Sequence, residues 1–227
     1  MIHLDNLVDW TAEFKGYAWK GRFHGVVLAS GAGPFDADSL AKKWPFITHL
    51  ESRGRAIVGD LRAGEVLDEA TARLFIEETI MWGGSQHDLL GSFRRANPVG
   101  QALLAPVVTR VVEACCGRPS TEHSVRAGFK VAREIPYVGY TYASKLLRFL
   151  DPDEFPAVDR RIHEALLKPS GFLTATNTSY VAWQRYVVAK RDELRAHSEA
   201  APGFPWTAAR VEMVAFQIAT DVLVKRR

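Results

Sequence analysis

The chain has 227 residues, 47% hydrophobic and 24% charged, a balance that suits one large domain or two packed lobes and excludes a disordered chain. Lysine and arginine number 29 against 26 acidic residues, and this net charge of +3 permits a polyanionic partner without requiring one. The longest apolar run, residues 101–116, is broken by Pro106, Arg110 and Glu113, and Met1-Ile2-His3-Leu4-Asp5 is no signal peptide, so the expectation is a cytoplasmic protein with no membrane partner.

Periodicity is helical almost throughout, and strict alternation is hard to find, which predicts an all-α fold. Helices are expected at 2–14, 36–50, 68–82 and 87–96, separated by Gly, Pro, Ser, Asp and Asn breakers. Gly31-Ala32-Gly33-Pro34 lacks the lysine and hydroxyl residue of a phosphate loop and is read as a plain turn. Residues 98–116 carry Val99, Leu103, Val107, Val111 and Cys115 at spacings of four, with Pro98 in the first turn, and predict a buried central helix. Cys115 and Cys116 are adjacent there, where a disulfide would be strained, so neither a disulfide scaffold nor a cysteine zinc site is expected. Further helices are predicted at 120–133, 140–150, 159–168 and 177–197. After a linker at 200–205, Thr207 caps a last helix with the stripe Val211, Val214, Ala215, Ile218 and Val222.

The informative stretch begins at Ile135-Pro136-Tyr137-Val138-Gly139-Tyr140-Thr141 and ends at Val158-Asp159-Arg160-Arg161. It reads as helix, tight hairpin, helix, loop, carboxylate. Gly139 suits a turn that needs positive φ or close backbone approach. The helix after it has the stripe Ala143, Leu146, Leu147 and Leu150, and its N-terminus leaves backbone N–H groups free for a phosphate. On these residues the chain resembles the helix-hairpin-helix DNA glycosylase superfamily, most closely its 8-oxoguanine glycosylase-like branch. The resemblance is specific over residues 133–163, the hairpin plus the aspartate loop of a single helical domain spanning 1–227.

That resemblance implies a two-lobed fold with a DNA cleft between the lobes and double-stranded DNA as partner; a monomer without a cofactor is the accompanying expectation. Pro136, Val138, Gly139, Tyr140 and Thr141 would grip the DNA backbone, helped by Arg160 and Arg161, and Asp159 takes the place of the essential aspartate. Two positions depart from the family pattern. Tyr137 stands where a hairpin glycine is usual, and Thr141 stands where base-excising lyases carry their lysine. Lys145, one helical turn further on nearly the same face, is the second catalytic candidate. With the lysine slot filled by threonine, the implied chemistry is monofunctional: the base leaves, Asp159 stabilises the glycosyl cation, and water attacks the sugar.

Base flipping needs a wedge and aromatic surfaces. Trp82, at the end of a predicted helix, is the candidate, with Gln86 and His87 offering hydrogen bonds to a base edge. The histidines show no metal spacing, and no serine triad with a nucleophile elbow is present. Two functions fit these residues. One is a DNA N-glycosylase leaving an abasic site, in base-excision repair or in antiviral defence against phage DNA with modified bases. The other is a non-catalytic DNA-binding module in which Asp159 merely caps the next helix.

Overall fold

The computed structural model describes residues 43–83, 89–101, 103–167, 177–197 and 206–225. The predicted helix 2–14, the Gly31 turn, the 200–205 linker, Gln86 and His87 lie outside them. Among the described residues every regular element is helical, and no helix is long and apolar enough to cross a membrane. In chain order these are α1 (Lys43–Arg62), α2 (Glu69–Trp82), α3 (Leu89–Ala96), α4 (Leu104–Cys115), α5 (Glu122–Ala132), α6 (Tyr140–Leu150), α7 (Arg160–Ile162, continuing as a π turn over His163–Leu167), α8 (Asn177–His197) and α9 (Ala208–Lys225).

Local chemistry sets the helix starts. The Asp68 carboxylate accepts from the Thr71 backbone N–H at 2.9 Å to open α2, and Thr121 and Ser124 form a reciprocal capping box for α5. The α4 start is capped from a distance: both oxygens of Glu69, on α2, accept from the N–H groups of Leu104 and Ala105 at 2.9 Å. Thr207 caps α9 as expected, its hydroxyl oxygen accepting from Arg210 N–H at 3.2 Å.

Two predicted boundaries are corrected. The helix expected at 36–50 runs on to Arg62, because Gly54 is a packing residue and not a breaker: a Cβ there would lie 1.8 Å from the Phe149 carbonyl oxygen, so α1 and α6 meet backbone to backbone. The helix expected from 98 begins at Leu104. Gly100 takes a φ of +79°, which turns the chain, and the stripe residues Val99 and Leu103 are left 84% and 74% exposed. Pro106 then occupies the first turn in place of Pro98, where a missing N–H costs no bond.

The core joins all of the longer helices. Trp82 of α2 meets Phe149 of α6 edge to face at 4.9 Å, and Phe129 of α5 stacks on Tyr180 of α8 at 4.2 Å. The stripe Ala143, Leu146, Leu147 and Leu150 of α6 is buried as predicted, which makes α6 the central helix against which α1, α2 and α5 pack. Cys115 and Cys116 are buried free thiols with sulfurs 3.8 Å apart.

Candidate active site

The hairpin between α5 and α6 is a tight turn in which Val138 N–H donates to the Ile135 carbonyl at 2.9 Å. Pro136 and Tyr137 are its two central residues, and Tyr137 carries a φ of +64°. Proline second and a positive φ third is the type II pattern. Of the two roles that suit Gly139, positive φ or close backbone approach, the positive φ falls on Tyr137, at a cost of about 1–2 kcal/mol for an L side chain. Gly139 has an ordinary φ of −74°, and its glycine character serves open approach: a Cβ there would meet no atom within 4 Å. It is the N-cap of α6, lies in an exposed turn and provides no side-chain cap bond for the first N–H groups of the helix.

The other expected backbone-gripping residues divide. Pro136 is exposed, Thr141 is half-buried in the first turn of α6, and Val138 is a core residue that could meet a ligand only through its backbone. Tyr140 turns inward, its hydroxyl 3.2 Å from that of Ser179. Arg160 and Arg161 are both exposed. Arg160 pairs with Glu164 at 2.6 Å, and Arg161 donates to Thr220 at 3.2 Å while lying over the Phe216 ring.

Asp159 follows a loop, residues 155–158, that is wholly buried and is anchored by side chains of α6 and α8. Tyr180 O–H donates to the Pro156 carbonyl at 3.1 Å, Trp183 Nε1–H donates to the Ala157 carbonyl at 3.0 Å, and Val158 N–H donates to Ser144 Oγ at 2.9 Å. Asp159 itself is half-buried and caps α7, its Oδ1 accepting from Ile162 N–H at 2.9 Å. Burial lifts its carboxyl above the usual aspartate range, opposed by that N–H and by the charge of Lys145.

Lys145 is 6% exposed, where a helix lysine is ordinarily solvated. Its ammonium donates to the Gly83 carbonyl at 3.3 Å and sits 5.1 Å from the Trp82 ring centroid and 4.9 Å from that of Tyr142. Gly83 makes room for it, since a Cβ there would lie 2.9 Å from Nζ and 2.6 Å from the Tyr142 ring. Burial pulls the Lys145 pKa down, and the negative field of Asp159, joined by that of Glu212 only when it is ionised, opposes that pull. Trp82 does end its helix as predicted, but it is 8% exposed and forms one wall of the lysine's enclosure.

Behind this pair lies a charged cluster that sequence reasoning missed. Arg148, fully buried one turn along α6 from Lys145, pairs with Glu51 of α1 at 2.9 Å and approaches Glu212 of α9 at 3.9 Å. Its guanidinium lies 4.1 Å from the Phe149 ring centroid and 5.3 Å from that of Trp82. Burial pushes the Glu212 carboxyl up to about 8, so at neutral pH it is protonated. Lys145 and Arg148 are then balanced by Asp159 and Glu51, and a third anion would be surplus. Trp82 Nε1 and Glu212 Oε2 have no hydrogen-bond partner among the described residues. The one sequence signal for this cluster is a charged residue inside an apolar run, as in Val211-Glu212-Met213-Val214 and Leu146-Leu147-Arg148-Phe149.

The structure thus brings Asp159, Lys145 and Trp82 into one region, with Gly139 and Thr141 at the start of the helix that carries Lys145, about one turn away. No family model, curated protein or solved structure matches the chain.

Proposed function

We propose that this chain is a monofunctional DNA N-glycosylase of the helix-hairpin-helix kind, which flips a damaged or modified base out of duplex DNA and excises it. The observation that carries the reading is the pairing of a hairpin open to solvent at Gly139 with Asp159, held on a buried loop anchored by side chains of α6 and α8, within the electrostatic field of a buried lysine. In this reading the hairpin turn and the α6 N-terminus hold a phosphate on one wall of a cleft between two lobes. The C1′–N bond of the extruded nucleotide breaks, its electron pair leaves with the base, and the ionised Asp159 offsets the charge on the glycosyl cation. Water then adds at C1′ and gives its proton to the carboxylate or to solvent, leaving an abasic site.

The test is release of free base from duplexes carrying oxidised, alkylated or glucosylated and hydroxymethylated bases, followed by alkaline cleavage of the abasic product. Asp159→Asn keeps size and capping ability and removes the charge. Single preorganised charges of this kind are worth a factor of about 10²–10³ in rate, so the variant should fold and bind DNA with base release nearly abolished. Near-normal excision by Asp159→Asn would remove the carboxylate from the chemistry. The 2.9 Å cap bond to Ile162 favours a second reading, a non-catalytic DNA-binding module, and that reading stands if no duplex in the panel loses a base.

A further inference from the structure

We propose that Ser144 is the positioning residue for Asp159: its buried hydroxyl fastens the backbone immediately before the carboxylate to the helix that carries Lys145. For its catalytic consequence this rests on the glycosylase reading; for its structural part it rests on the bonds alone.

Ser144 is fully buried in the middle of α6, with Tyr140 and Thr141 one turn before it and Leu147 and Arg148 one turn after. Alanine would fill such a position at no polar cost, so a serine there calls for an account of its hydroxyl. That hydroxyl both accepts and donates. Its oxygen accepts from Val158 N–H at 2.9 Å, and its proton goes to the Thr141 carbonyl at 2.7 Å, with the Val158 carbonyl a second acceptor at 3.3 Å. The joint therefore ties Val158, the residue before Asp159, to Ser144, the residue before Lys145, while reaching the backbone of Thr141 in the first turn of α6. The loop's other side-chain anchors, Tyr180 and Trp183, come from α8 and hold Pro156 and Ala157. Ser144 alone among these three connects the loop to the helix of the lysine, and it does so one residue from each member of the pair. Without it Val158 N–H is a buried donor with no acceptor, and the loop is free to shift toward solvent.

Displacement of a reacting group by about 1 Å can cost about 10²-fold in rate. The experiment compares Ser144→Ala with Tyr180→Phe, which removes an anchor of the same loop but leaves the joint beside Asp159 intact. For the full-length chain it measures single-turnover base release, duplex affinity, thermal stability and the 13C titration of the Asp159 carboxyl, assigned with Asp159→Asn. Ser144→Ala should lower base release by about 10²-fold, leave duplex affinity within about twofold, and move the Asp159 midpoint back toward the ordinary aspartate range as the carboxyl meets water. Tyr180→Phe should lower stability comparably while leaving rate and midpoint near the parent values. In an Asp159→Asn background, Ser144→Ala should cause no further loss. If Ser144→Ala does not fold, Ser144→Cys, a weak acceptor of nearly the same size, takes its place under the same criteria. An unmoved Asp159 midpoint, or equal rate losses in Ser144→Ala and Tyr180→Phe, overturns the proposal. Should the parent protein release no base at all, the glycosylase reading fails, and the titration still decides whether Ser144 places the carboxyl.

Discussion

Replacing Glu212 by glutamine gives the protein permanently what burial gives it below pH 8, a neutral polar group facing Arg148. The residue is 2% exposed, its nearest cation is the Arg148 guanidinium at 3.9 Å, and that guanidinium already has Glu51 at 2.9 Å. A carboxyl that protonates at 4.5 when free and at about 8 in the fold binds its proton more tightly in the native state. Below the lower value both states are protonated and Glu212 adds no pH dependence. Between the two values the unfolded chain has released a proton that the native chain keeps, so native stability falls as pH rises, by up to about 1.4 kcal/mol per pH unit. Above the higher value the whole loss, about 5 kcal/mol, has been incurred, which is comparable to the entire stability of many domains. Glu212→Gln removes this slope. Urea unfolding of both proteins at pH 5, 6, 7 and 8 isolates it, because titrating groups that do not interact with Glu212 cancel in the difference. The variant should gain about 3–4 kcal/mol relative to the parent between pH 5 and pH 8. Parallel stability curves would show that Glu212 is ionised in the native state, and the charge balance assigned to the cluster would be wrong.

Three further perturbations probe the lysine, the hairpin and the packing of α6 on α1. Lys145→Ala should reduce base release, because the ammonium contributes to the field at Asp159, yet borohydride should trap no covalent DNA adduct with the parent protein; an adduct lost in Lys145→Ala would show that the lysine is a nucleophile. Gly139→Asp places a favourable N-cap residue on α6 where a Cβ has free space, so its melting temperature should hold or rise, while the added negative charge lowers duplex affinity by about tenfold or more at low salt; unchanged affinity in a filter-binding titration would mean the hairpin is not the grip. Gly54→Ala must part α1 from α6, since its Cβ would sit 1.8 Å from a carbonyl oxygen, and should destabilise by about 3 kcal/mol or more in chemical denaturation; a loss below about 1 kcal/mol would mean that the two backbones yield easily.

Where neighbours in sequence fix the outcome, expectation and structure agree. Helices α6 and α8 occupy the predicted residues 140–150 and 177–197, because Gly139 opens the first and Asp151-Pro152 closes it, while polar breakers flank the second. The hairpin is legible for the same reason, although the strain sits at Tyr137 and not at Gly139. Where a distant element decides, the sequence is ambiguous. Gly54 has the appearance of a breaker until Phe149, 95 positions later, passes against it. Val99 and Leu103 fit the helical spacing of Val107 and Val111, but Gly100 turns the chain between them and both side chains stay exposed. Lys145 shows the limit most clearly. Its place in the helix pattern is that of a solvated residue, and only Trp82, Gly83 and Tyr142 together enclose it. A helix can present a lysine inward only if its surroundings supply aromatic faces, a carbonyl and an opposing carboxylate, and here Trp82 and Gly83 come from the end of α2, Tyr142 from α6 itself and Asp159 from the 155–159 loop. Such convergence has no periodicity, so it leaves no trace in any one segment. Lys145 and Asp159 are nevertheless identifiable as candidates, because the spacing from the hairpin to each is local even though the environment that perturbs them is not.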